Sequence, residues 1–374
     1  MQSQIQSEAT MKKLIAEYVF IDGFNTTRSK TRIINPISAV NDTNTGKLTN
    51  NFVVDVWTVD GSSTGQSETN ASDIILNPVA LFNDPFNVST GEVKYILVMC
   101  EILNIDGTPH VTNTRGKLVE LLKNMGDELE MWAPMFGIEQ EYVLLDKDGS
   151  TPYNWSDEIC KMNLKGGISH PQDGKFYCGV GADRSIGRNI AMEHMNRCIA
   201  SGVMICGINA EVAPAQWEFQ VGVCNAIEIG DHLWMARYIL GRVAELHDAC
   251  ISYHPKPFGS NWNGSGGHTN FSTKDMREAG GMKYIEKAIN QLSQNHNEHM
   301  AVYGVDNNMR LTGIHETSDI GTFTYGECNR GSSIRIPANV KAAGCGYFED
   351  RRPAANLDPY LVAWRMIKTV CCSD

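Results

Sequence analysis

Hydrophobic and polar positions alternate along this chain with a period that changes part-way. Residues 16–23, AEYVFIDG, alternate as a β-strand, and Thr31–Ile34 predicts another. Phe52–Val59 reads as a third strand, with Val54 and Val56 set against Asp55 and Trp57, and 94–101, KYILVMCE, as a buried one. Residues 41–51 are a polar loop rich in Asn and Thr, and 60–66, DGSSTGQ, carry turn residues. After Asp106-Gly107 the period lengthens. Leu118, Leu121, Leu122, Met125 and Leu129 recur at helical spacing behind Thr114, which is placed to cap them. Ile138–Leu145 returns to strand. Ile190, Ala191, His194, Met195, Cys198 and Ile199 form a second helical stripe ending at Gly202. Asp231 caps a third, with Leu233, Leu240, Val243 and His247, and Met282, Ile285, Ile289 and Leu292 mark a fourth. The expectation is an α+β chain: a small β domain over residues 1–107 and a larger mixed domain over 108–374.

Composition narrows the class. The chain has 374 residues, 42% hydrophobic and 20% charged, enough for a sizeable core. A net charge of −11 and a pI near 5.4 disfavour a nucleic-acid partner, which calls for a basic footprint. An anionic substrate stays open if arginines cluster locally. The 11 cysteines are an odd number without a C-x-x-C pair, and Cys198, Cys206 and Cys250 lie in apolar surroundings. Buried thiols in a reducing compartment are the expectation, with neither zinc site nor disulfide framework. No secretory h-region and no apolar window of membrane length occurs, so no membrane partner and a cytoplasmic location are expected.

The chemistry concentrates around NAEVAPAQWEFQVG, residues 209–222. Glu211 and Glu218 sit among Val212, Ala213, Trp217, Phe219 and Val221, and a buried carboxylate is costly without a cation. Pro214 interrupts any helix, so two short strands meeting at Pro214-Ala215 fit better, with Gln216, Glu218 and Gln220 on the polar face. Two readings stand here: a divalent cation on that face, or ion pairs with arginines at a subunit seam. In GIEQEY, 137–142, Glu139 and Glu141 share one strand face. Alone, such a pair is better explained by a solvated sheet face. Four acids in two strand settings point to a hard cation such as Mg²⁺ or Mn²⁺.

Residues 261–273, NWNGSGGHTNFST, place His268 after a glycine-rich loop lacking both the P-loop and the dinucleotide spacing. Read alone, His268 is a hydrogen-bonded structural histidine. Arg310, Arg330, Arg335, Arg351 and Arg352 gather in the last third, interleaved with Gly, Ser and Pro. Guanidinium groups grip carboxylate and phosphate bidentately, so this cluster opposite a carboxylate site suggests phosphoryl transfer. Subunit-interface ion pairs are the alternative.

These motifs, with RSKTR (28–32), FYCGVGADR (176–184), GDHLWMARYIL (230–240), LTGIHETS (311–318), NRGSSIRIP (329–337) and GYFEDRRPAAN (346–356), follow one another in the order of a known family. The chain resembles the eukaryotic-type (class II) glutamine synthetases over nearly its full length. The resemblance implies an N-terminal β-grasp domain and a catalytic domain built on a curved antiparallel sheet. It implies ligation of glutamate and ammonia with ATP, through a γ-glutamyl phosphate. By motif, Glu141, Glu211 and Glu218 would hold one metal, and Glu139, His268 and Glu349 a second on the ATP phosphates. Arg310, Arg351, Glu211 and Asn263 would bind glutamate. Arg330, Arg335, Asn270 and Ser272 would bind ATP, Arg330 also acting in catalysis. Asp60 would take the ammonium proton, and Glu316 would close the site. The family further implies self-association, as a decamer, with Asp60 contributed by a neighbouring subunit.

Three positions depart from the family pattern: Met309 precedes Arg310 where an arginine is usual, Gly331 enters NRGSSIR, and Gly267 replaces a common cysteine. No implied ligand is lost. An inactive structural oligomer of the same fold would lack metal ligands, Asp60 or Glu316. A γ-glutamyl–amine ligase would not need their cation pocket.

Overall fold

The computed structural model describes residues 11–36, 47–49, 52–155, 174–259 and 262–372. It divides into two compact units, Met1–Gly116 with Arg197–Val203, and Lys117–Asn196 with Met204–Asp374. Among the described residues no helix is long and apolar enough to cross a membrane.

The first unit is a mixed sheet. Its strands are β1 (Lys13–Ile21), β2 (Thr27–Ile34), β3 (Lys47–Thr49), β4 (Phe52–Val54), β5 (Trp57–Asp60), β6 (Asp73–Asn83) and β7 (Val93–Leu103). Five of them pair in the order β2-β1-β7-β6-β5, with β1 and β7 parallel, while β3 and β4 form a separate ribbon. One face buries Leu14, Ala16, Tyr18, Phe20, Ile74, Leu76, Ile96 and Val98, alternate positions along β1, β6 and β7.

Several expectations are corrected here. Phe52–Val59 is two strands, because Val56 N bonds the Asp55 side chain at 2.8 Å and Tyr18 Oη donates to Asp55 O at 2.8 Å, taking the backbone out of the ladder. Lys47–Thr49, read as loop, is strand β3, and the rest of 41–51 lies outside the described residues. The sequence reading gave no strand for β6. Pro78 breaks its pattern, and the ladder absorbs that proline at a register shift between Pro78 and Ala80.

The second unit carries helices α1 (Thr114–Met125), α2 (Glu128–Trp132), α3 (Arg188–Ser201), α4 (Glu228–Leu246), α5 (Lys274–Arg277), α6 (Met282–Gln294), α7 (His296–Met300), α8 (Ala338–Ala343) and α9 (Pro359–Val370). Its strands are β8 (Met135–Asp146), β9 (Ile205–Ala210), β10 (Gln216–Cys224), β11 (Ala249–Ser252), β12 (Gly267–Ser272), β13 (Tyr325–Glu327), β14 (Ile334–Ile336) and β15 (Phe348–Asp350). Two caps sit off their expected residues. Asn113 Oδ1 accepts from Gly116 N at 2.8 Å ahead of α1, and Asn225 Oδ1 accepts from Ile227 N and Glu228 N, both at 3.0 Å, ahead of α4. Asp231 instead lies buried in the first turn and accepts from Tyr360 Oη at 2.5 Å. Leu129 belongs to α2, since Gly126 takes φ 52° and ends α1. Ile199 is exposed on α3, Cys206 is exposed, and Cys250 is half-buried.

The sheet of this unit runs β13-β14-β15-β12-β8-β10-β9, with β11 paired to β8, and is antiparallel except for β13 and β14. Register shifts near Gln220 and Gly222 bend β10 as the sheet curls. Trp217 and Phe219 are fully buried on the face opposite Glu218, and α4 packs against β8, β10 and β11. Each such ring contributes about 2–3 kcal/mol of burial. That packing fixes which β10 side chains face the other way.

Candidate active site

Cross-strand register assembles the site. Glu141 on β8 lies opposite Glu218 on β10, and Glu139 lies between Gln220 and His268 on β12. One strand further, Glu349 on β15 lies between Asn270 and Arg335. Directly opposed residues share a sheet face, so these side chains point the same way. Glu139, Glu141, Glu218, Gln220 and His268 line a cavity of about 630 Å³ together with Tyr177, Asn209, Glu211, Asn263, Arg310, His315, Glu316, Arg330, Arg335 and Arg351, while Glu349 is fully buried 3.7 Å from His268.

Two donor groups suited to a cation meet here. Glu139, His268 and Glu349 form one, Glu141, Glu218 and His268 the other, with ligand atoms in each within 4.8 Å of one another. Arg310 Nη2 lies 3.2 Å from His268 Nε2, so that nitrogen accepts and the ring proton sits on Nδ1, facing Glu139 at 3.5 Å and Glu349 at 3.7 Å. Burial, reinforced by Arg351, holds the His268 pKa well below its ordinary value and keeps the ring neutral, and a cation between Glu139 and Glu349 would take the place of the Nδ1 proton.

The carboxylates repel one another. Burial first, then neighbouring acids, push Glu211 up to about 8 and Glu218 well above its ordinary range. Glu141 rises to about 7 through burial, which Arg310 only partly offsets. Gln216 Nε2 donates to Glu141 Oε2 at 3.2 Å, and Gln220 Nε2 donates to Glu218 Oε1. Buried oxygens of one charge around a shared imidazole fit a hard divalent cation such as Mg²⁺ or Mn²⁺.

Cations face them. Arg335 Nη1 and Arg351 Nη1 each donate to Glu349 at 2.6 Å, one to each carboxylate oxygen. Arg310 is buried and anchored by the Arg351 carbonyl at 2.9 Å. Arg330 and Glu316 are exposed at the cavity rim.

Most of the residues expected to act are therefore brought together, with three exceptions. Asn270 and Ser272 line a separate, mostly apolar cavity of about 450 Å³ that shares Glu139 and Gln220 with the first and adds Phe271 and Tyr347. Asn270 Nδ2 donates to Glu139 Oε1 at 2.8 Å. Asp60 belongs to the first unit, where it is exposed and accepts from Ser62 and Ser63, which hold its pKa near 2. Tyr177, Asn209 and His315 were not singled out from the sequence, although each falls inside a motif quoted above. Gly267 has a packing reason: a Cβ there would lie 2.1 Å from Leu357 Cδ2.

The structure titled "Apo GmaS without ligand" shares this fold, with a TM-score of 0.67 at 19% identity, covering 97% of this chain and 78% of that one. Residues 111–371 match the family described as glutamine synthetase, catalytic domain. Proteins named glutamine synthetase are similar along 96% of the chain. That of Amanita muscaria is 50% identical over 357 residues and 93% of its own length. Those of Candida glabrata and Saccharomyces cerevisiae are 50% and 49% identical over 359 residues, covering 89% and 90% of theirs. The chain belongs to the glutamine synthetase family, an enzyme family of glutamate–ammonia ligases.

Proposed function

We propose that this chain makes glutamine from glutamate and ammonia with ATP, through γ-glutamyl phosphate. A γ-carboxylate oxygen of glutamate attacks the γ-phosphorus of ATP and ADP leaves. Ammonia nitrogen then attacks the acyl carbon, and inorganic phosphate leaves. The observation that carries this reading is one cavity holding two carboxylate donor groups around His268 opposite Arg310, Arg330, Arg335 and Arg351. Family membership supports it.

In this reading Glu139, His268 and Glu349 hold one Mg²⁺ or Mn²⁺ and Glu141, Glu218 and Glu211 another, and bound metal would offset charge on phosphoryl oxygens. Arg310, Arg351 and Asn263 bind and orient glutamate. Arg330 and Arg335 stabilise charge developing on the transferring phosphoryl group. The apolar cavity with Asn270, Ser272 and Tyr347 suits a nucleotide base, next to the phosphate-side ligand Glu139. Asp60 and Glu316 trap ammonium and take its proton, and Glu316 keeps water from the acyl phosphate. Asp60 reaches the site from a neighbouring copy, so the active form is a cytoplasmic homo-oligomer with residues 1–107 as its N-terminal and 108–374 as its catalytic domain.

The test is release of phosphate from ATP with Mg²⁺ and glutamate, with and without ammonium, beside direct glutamine measurement. Ammonium-dependent phosphate release matched by glutamine supports the reaction. A folded oligomer that binds ATP but turns nothing over sinks it, and turnover with organic amines in place of ammonium redirects it.

A further inference from the structure

Around β15 the side chains alternate. Arg351 lines the cavity and the fully buried Glu349 faces the same side, toward Arg335, Arg351 and His268, whereas Asp350 and Arg352, also 0% exposed, bond to groups on the other side. Arg352 Nε and Nη2 donate to the two Asp350 oxygens at 2.8 and 2.7 Å, and Tyr303 Oη donates to Asp350 Oδ2 at 2.8 Å. Burial alone would lower the Arg352 pKa, but Asp350 outweighs it and the charge is kept.

The remaining terminal nitrogen of Arg352 decides the next link. Nη1 lies 3.1 Å from His296 Nδ1, and a guanidinium can only donate, so His296 Nδ1 accepts. The imidazole proton is thereby placed on Nε2, which donates to the Ile320 carbonyl at 2.8 Å. The Arg352 guanidinium also lies between the rings of Tyr303 and Phe323, 5.3 and 5.2 Å from their centroids.

Ile320 closes the loop that carries Glu316. Its own N–H bonds Leu311 O at 3.0 Å, and Thr312 bridges Asp319, so the loop base is tied. The tip is held differently: Arg351 Nη2 donates to Glu316 O at a long 3.5 Å and Thr317 Oγ1 to Arg310 O at 3.1 Å, while His315 and Glu316 take φ of 58° and 59° and Glu316 is exposed. Left-handed backbone in two successive non-glycine residues persists only where the surroundings hold it.

We propose that Arg352 and His296 are positioning residues that latch the base of the Glu316 loop to the back of the strand bearing Glu349, so that only the tip moves over the site. Glu349 and Glu316 then keep a fixed relation, and the loop closes in register with the phosphoryl chemistry. The kinetic consequence rests on the proposed reaction, while the latch itself does not.

Two variants at His296 test it in the full-length protein. His296→Leu removes both links, and His296→Gln restores an Nε2 donor toward Ile320. With His296→Leu, amides 311–322 should exchange about tenfold faster and the ammonium KM should rise about tenfold, with the ATP KM within about twofold. Phosphate release should then exceed glutamine formed, and His296→Gln should return each value toward the parent. Unchanged exchange in His296→Leu overturns the latch. A uniform fall in every kinetic parameter, not rescued by Gln, reduces His296 to a structural role and also overturns it. If the parent shows no ammonium-dependent turnover, the proposed reaction fails, and amide exchange still decides the latch. Should His296→Leu not fold, His296→Asn leaves a side chain too short to span Arg352 and the Ile320 carbonyl, and unchanged exchange there is equally fatal.

Discussion

Arg237 Nη2 donates to Gln140 Oε1 at 2.6 Å from behind the strand whose front carries Glu139 and Glu141. Arg237 also donates to the carbonyls of Ala355 and Leu357, both at 2.9 Å, and lies over the rings of Trp234 and Tyr253. Burial lowers its pKa to about 10, still far above neutrality. Replacing it by leucine takes the donor from Gln140 Oε1 and Leu357 O, while Ala355 O keeps its bond from Gln140 Nε2, which predicts a loss of about 2–4 kcal/mol of stability. Denaturant unfolding reads the loss, and a change under about 1 kcal/mol would contradict it.

The acidic cavity predicts a pH dependence that metal should cancel. Glu141 and Glu211 have folded pKa values near 7 and 8 against an ordinary 4.5. A carboxyl whose folded pKa is raised stabilises fully below its unfolded value, and that stability is lost as pH rises through the folded one. Metal-free protein should therefore lose stability between about pH 4.5 and 8. Mg²⁺ or Mn²⁺ should restore it most at the alkaline end, since binding needs the ionised carboxylates, with about 2.7 kcal/mol expected at a hundred times Kd. Melting curves at several pH values with chelator and with metal check this. A melting point that ignores metal at pH 8 would count against both donor groups.

Arg330 is exposed and reaches the cavity rim, so its removal should spare the fold. Arg330→Ala should lower kcat by about 10²–10³, with a smaller change in the KM for glutamate, because its charge is needed as the phosphoryl group transfers. Steady-state kinetics decide it. An effect confined to KM would assign Arg330 to ground-state binding.

If Asp60 serves a neighbouring copy's site, two dead variants should rescue each other. Asp60→Asn and Glu316→Gln, each inactive alone, should regain glutamine formation when co-expressed in one oligomer, where some sites combine an intact Asp60 with an intact Glu316. Purified mixed oligomers with no recovered activity would place both residues within one subunit's site.

Local periodicity carried far in this sequence. Glu139 and Glu141 share a face because a strand alternates, and the pattern NAEVAPAQWEFQVG showed two strands breaking near Pro214. Strand β6 was hidden because Pro78 interrupts its alternation, and both helix caps were misplaced because Thr114 and Asp231 are as well suited as the asparagines used. The motifs marked Asn270 and Ser272 as nucleotide contacts but gave no sign that they line a second cavity.

The sequence by itself determined the type of the longer, strongly periodic elements, the alternation that puts acids on one sheet face, and the motifs that define the family, since these depend on neighbours a few residues apart. Family motifs group Glu349 with His268, but tertiary structure alone decided that Glu349 is fully buried between Arg335 and Arg351, and that Arg352 reaches His296. Those pairs lie 81 and 56 residues apart. Strand register and helix packing bring them together, and neither leaves a local periodic trace.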